Sequence, residues 1–145
     1  MREIKFRVWS KEHNEFVSFY WLDLYFSEQN GLIYSDGINV TDKFTLQQYT
    51  GLKDKNGKGV YEGDIVRVSY ESNRLYLEGF EVTGEVIWSP DHVQFLVKTN
   101  VKYLKDGSTE YDLYEITDNE YYEVLEIEVI GNVFEDSHLL EEQHG

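Results

Sequence analysis

Within residues 48–66, QYTGLKDKNGKGVYEGDIV, two tight turns follow one another and the second opens straight into a β-branched run. That arrangement marks the start of a strand. Asp54-Lys55-Asn56-Gly57 combines side chains that bond to their own backbone with a glycine free to take positive φ, which a sharp reversal requires. Tyr61-Glu62-Gly63-Asp64 then leads into Ile65-Val66-Arg67-Val68, a strand by its period and composition. Asp54, Asn56, Gly57, Gly63 and Asp64 are therefore the expected turn residues, with Asp64 placed to accept backbone amides at the strand entrance. Ligand chemistry fits the stretch poorly. Gly51, Gly57, Gly59 and Gly63 match neither phosphate-loop nor dinucleotide-loop spacing. The residue that would supply a calcium loop's bidentate glutamate, eleven after Asp54, is Ile65.

Short strands joined by turns continue along the chain. A first strand is expected over 4–9, a turn at 11–14 and a return strand from Glu15. The aromatic segment 16–26 satisfies both helical and strand spacing and is read as strand and loop. A hairpin over 32–40 turns at Ser35-Asp36-Gly37. After the marked stretch come a polar excursion at 72–79, an alternating strand over 80–88, a turn at Ser89-Pro90-Asp91-His92 and a strand over 93–97. A turn at 105–108 and a strand over 111–116 follow. Residues 125–134 form a last strand broken at Gly131-Asn132, with Asp136 or Ser137 capping a helical turn beyond it. With 145 residues, one proline and 23 aromatics, the chain suits a single packed domain that buries roughly two-thirds of its unfolded surface. It is expected to be mainly β, a small closed barrel with additional N- and C-terminal strands. The parts are an elaboration at 1–47, the barrel at 48–134, and a helical turn with tail at 135–145.

The net charge is −15, and residues 101–145 carry 13 Asp and Glu against Lys102 and Lys105. Such a field repels phosphate backbones, so direct nucleic-acid binding is disfavoured and basic protein partners are favoured. No cysteine is present, which removes disulfides, thiolate metal sites and thiol nucleophiles together. The alternating N-terminus lacks a signal peptide's apolar core, and no apolar run reaches the roughly 18 residues that cross a bilayer. A soluble, cytoplasmic protein is expected. His13, His92, His138 and His144 show no paired zinc spacing and no nucleophile motif. Glu126 and Glu128 share one strand face against Leu125, Ile127 and Val129, a solvated face rather than a glycosidase pair. Tyr20, Trp21, Tyr25, Phe26, Trp88 and Phe95 read as core, since the bases that would accompany nucleotide stacking are sparse.

MREIKFRVW at 1–9, QYTGLKDKNGKGVYEGDIV at 48–66, GEVIW at 84–88 and VIGNVFEDSHLL at 129–140 resemble the successive signatures of the YopX family of bacteriophage and prophage proteins. The resemblance spans nearly the whole chain and implies a β-rich fold with an SH3-like barrel and an origin in a phage or prophage of a Gram-positive bacterium. It supplies no catalytic residue. With no cofactor, metal or catalytic set expected, the reading is a non-enzymatic accessory module that binds a host or phage protein and can self-associate. Glu120, Glu123, Glu126 and Glu128 would provide charge-driven contact, and Tyr121 and Tyr122 the anchors. The alternative is an acidic DNA mimic that inhibits a nucleic-acid-binding host protein.

Overall fold

The computed structural model describes residues 5–18, 24–27, 29, 32–35 and 37–141. The chain forms two compact units, Met1–Tyr49 and Thr50–Gly145.

In the first unit, β1 (Phe6–Ser10) pairs antiparallel with β2 (Glu15–Val17) and with the beginning of β6 (Phe44–Lys53). A small antiparallel sheet joins β3 (Leu24–Phe26), β4 (Ile33–Ser35) and β5 (Ile38–Asn39), with Gly37 at φ 78° in the turn. Val8 and Ile33 centre its core, with Val17, Val40, Phe44 and Leu46 packed around them. The turn at 11–14 and the hairpin near 32–40 match the sequence reading. Ile4, Phe19, Tyr20, Trp21 and Asp36 lie outside the described residues, so the expected first residue of the opening strand and the heart of the aromatic segment do too.

The second unit begins with the end of β6 and with β7 (Gly59–Tyr61), which pairs with it. Next come β8 (Asp64–Ser72), β9 (Phe80–Ser89), β10 (Gln94–Tyr103) and β11 (Thr109–Glu115) as a meander. Then β12 (Tyr122–Asn132) returns to the far side of β8. The resulting order is β11-β10-β9-β8-β12, antiparallel throughout. Val66, Val68, Tyr70, Val86, Phe95 and Val97 project from one side into a core shared with Val60 and Ile116. The sheet curls around that core. Phe80 stacks on Tyr70 at 4.8 Å and contacts both Tyr114 of β11 and Tyr122 of β12, so the two outermost strands line one interior. The fold is thus mainly β, and the observed pairing is a curled sheet with β11 and β12 at its edges.

Tyr70 ties the curl together, since its Oη donates to the Glu115 carbonyl at 2.6 Å. Burial first, then the neighbouring Tyr114 and Glu115, push its phenol well above the ordinary tyrosine range, so it remains a donor at any ordinary pH. Tyr70→Phe leaves that half-buried carbonyl short of a partner and should cost about 1 kcal/mol, read as a lower urea midpoint with an unchanged m-value.

Three sequence expectations are corrected. Residues 44–53 were not expected as a strand, yet β6 is ten residues long. Leu125 does not share the apolar side with Ile127 and Val129, because the β12 register shifts between Val124 and Glu126 and leaves Leu125 63% exposed. Asp136 does not cap the single helical turn α1 (His138–Glu141) through its carboxylate, which instead accepts the Asn132 N–H at 3.1 Å. No helix of the described residues is long and apolar enough to cross a membrane.

Candidate interaction surface

One end of the five-stranded sheet is built from the loop after β8 and the segment before β12. β8 ends at Ser72, whose Oγ accepts the Arg74 N–H at 3.0 Å and so starts a turn. Asn73 then joins the two segments: its N–H donates to the Tyr121 carbonyl at 2.8 Å and its Nδ2 to the Asn119 carbonyl at 3.3 Å. Asn119 Oδ1 accepts both the Tyr121 and Tyr122 N–H groups at 2.9 Å, and Asp118 Oδ1 accepts that of Val124 at 2.8 Å. Polar side chains thereby fix the backbone where no regular ladder continues.

On this framework Leu75 is fully exposed and Tyr76 is 78% exposed, beside a half-exposed Tyr121. The six expected contact residues do not share one environment. Glu120 meets Arg74 at 3.5 Å, and the Arg74 guanidinium lies 5.6 Å from the Tyr121 ring. Tyr122 turns inward, edge-on to Phe80 at 4.9 Å. Glu123 stands directly opposite Glu71 in the β8–β12 register. Further along, Lys55 Nζ reaches Glu128 at 2.9 Å and Glu126 at 3.6 Å, and Arg67 reaches Glu128 at 3.2 Å. Sequence reasoning passed over Leu75 and Tyr76, although the apolar run Leu75-Tyr76-Leu77 inside the excursion was a visible signal. Glu71 gave no signal, because its opposition to Glu123 exists only once the strands pair.

The turn residues of the marked stretch form a separate structure. Asp54 Oδ1 accepts the N–H groups of Asn56 and Lys58, both at 2.9 Å, and its Oδ2 accepts that of Val129 at 3.0 Å. Burial alone would raise the Asp54 carboxyl, but these three donors, from Val129, Lys58 and Asn56, hold it below the usual carboxylate range. Gly57 and Gly63 take φ of 81° and 86°, and Asp64, almost wholly buried, accepts the Tyr61 N–H at 2.8 Å. The lysine that follows Asp54 donates its N–H to the Ile127 carbonyl, so this turn clasps the final strand.

Two further features have chemical potential. A groove of about 640 Å³ lies beside β9, β10 and α1. In it Lys98 Nζ and Glu85 Oε1 are 4.0 Å apart, with Tyr103 and Leu140 among the lining residues. Burial pushes the Glu85 carboxyl up, Lys98 pulls it down and Glu62 raises it further. The groove has the size of a small-molecule site, but its floor is an already matched ion pair. Serine–histidine contacts occur twice at Ser-x-x-His spacing, Ser10 Oγ to His13 Nδ1 at 3.0 Å and Ser89 Oγ to His92 Nδ1 at 2.8 Å. Each closes a tight turn at a strand end. Among the described residues, no three His, Asp or Glu side chains gather as metal ligands.

A family model described as YopX protein matches residues 5–141. Among solved structures, the crystal structure of protein EF1440 from Enterococcus faecalis is similar at 22% identity and a TM-score of 0.49, covering 97% of this chain and 99% of that one. No curated protein matches.

Proposed function

We propose, from the premise that this chain belongs to the YopX family, that it is a phage or prophage accessory protein acting as a non-enzymatic protein-binding module in the bacterial cytoplasm. In this reading the curled sheet is the SH3-like barrel that the family resemblance implies, and the end carrying Leu75, Tyr76 and Tyr121 is its contact. One observation carries the proposal: large apolar side chains are held out into water by a backbone fixed through Asn73, Asp118 and Asn119. A surface ordered before binding loses less conformational freedom on binding, and the tyrosines and arginine at this end, Tyr76, Tyr121 and Arg74, are of the residue types enriched at contact hot spots.

The test compares the protein with a Leu75→Ser/Tyr76→Ser variant in nuclease-treated lysate of a bacterial host. The expected result is a protein partner retained by the former and released at least tenfold more readily by the latter, with the same thermal midpoint for both. Equal retention by both, or no retained protein, sinks the proposal. The DNA-mimic reading draws less support, since Glu126 and Glu128 already meet Lys55 rather than standing as an unpaired row. Displacement of the partner by duplex DNA would bring it back.

A further inference from the structure

We infer that the partner bound at this end presents a cationic segment, a lysine or arginine flanked by apolar side chains, and that the cation seats between Glu71 and Glu123. The inference rests on the protein-binding reading above and names the chemistry of its partner. Glu71 and Glu123 are direct cross-strand neighbours in the β8–β12 register. Like charges in that position destabilise a sheet. Elsewhere on the same face the chain avoids this: Glu128 stands opposite Arg67, and Arg67 also meets Glu81 at 3.4 Å. Among the described residues no lysine or arginine bridges Glu71 and Glu123, and the nearby Arg74 is engaged by Glu120 and Tyr121. An incoming ammonium or guanidinium would remove the repulsion at the moment of binding, so the same pair that weakens the free sheet strengthens the complex.

The apolar half of the partner is set by what lies beside the pair. Leu75 and Tyr76 follow Glu71 across one turn, and Tyr121 precedes Glu123 by two residues. A cation with apolar neighbours on its own chain can therefore meet the carboxylates and cover Leu75 and Tyr76 together. A second copy of this chain fits poorly, since at −15 net charge it brings acids to acids.

The experiment titrates the ¹⁵N-labelled full-length protein with a synthetic amphipathic peptide of lysine and leucine, and with the same peptide carrying glutamate for lysine. The inference expects saturable shifts confined to residues 71–76 and 120–123 with the lysine peptide, weaker in high salt, and none with the glutamate peptide. Glu71→Lys supplies an internal cation. It should raise the thermal midpoint while weakening the lysine peptide at least tenfold, a combination that simple damage to the fold cannot produce. Shifts centred elsewhere, absence of saturation, or binding unchanged by Glu71→Lys overturns it. If lysate capture still depends on Leu75 and Tyr76 but not on Glu71, the binding module stands and the cationic partner falls.

Discussion

Gly84→Val should abolish the five-stranded sheet, and Gly84→Ala should lower stability by about 3 kcal/mol. Gly84 is buried in β9, and a Cβ built there meets the Lys98 backbone, its carbonyl oxygen closest and its carbonyl carbon at 2.9 Å, with Val97 Cγ1 at 2.8 Å. Backbone on a paired strand cannot swing aside as a side-chain tip can. Even one methyl must push β10 off β9, which breaks ladder bonds and opens the core between Val86 and Val97. Gly57 is the control. It sits at φ 81° with nothing within 4 Å of its would-be Cβ, so Gly57→Ala bears only the left-handed backbone penalty of about 1–2 kcal/mol. Urea titrations should rank Gly84→Val below Gly84→Ala and both below Gly57→Ala. A Gly84→Ala midpoint within error of the parent would show that the two strands are not packed this closely.

Asp54→Ala should cost about 3 kcal/mol, since it leaves three N–H donors without the carboxylate that now accepts them. Two of them shape the turn, and the third belongs to Val129 on β12, so the change both loosens a hairpin and releases the last strand. Asp54→Asn should cost less, because the remaining amide oxygen can still serve Asn56 and Lys58 while its NH₂ confronts the Val129 N–H. The pH dependence follows from the direction of the shift. The folded carboxyl titrates below its ordinary value of 3.8, so the unfolded chain takes up a proton first as the pH falls. Its stabilisation is therefore whole at neutral pH, starts to fade near 3.8 and is lost as the pH falls through the lower folded value. Asp54→Asn should remove this contribution to the acid limb of the stability curve. An acid limb identical to the parent's would assign the loss to other carboxylates.

The turns were the most legible part of the sequence, because local chemistry determines them. Asp54, Gly57 and Gly63 adopt the geometry their residue types favour. What escaped notice, the β6 strand and the start and phase of β12, depends on distant partners. β6, FTLQQYTGLK, buries Gln47 and Thr50 along with Tyr49, so its pattern of burial is not written in hydrophobicity. β12 begins inside an acidic stretch, and its bulge near Leu125 reverses the phase that strict alternation assigns. The interaction surface was half visible. Glu120, Tyr121 and Glu123 follow from composition, but only pairing sets Glu123 against Glu71, and only the Phe80 contact turns Tyr122 inward.

The return of β12 to β8 has a consequence for folding. Arg67 and Glu128, which meet across that pairing, lie 61 residues apart, so the β8 edge is covered by a strand far from it in sequence. A chain in which β12 had not docked would present that edge unpaired and leave the Asp54 turn nothing to clasp, and closing it requires a non-local contact. Between crowded copies such an edge would be a template for wrong pairing, which the docking of β12 removes.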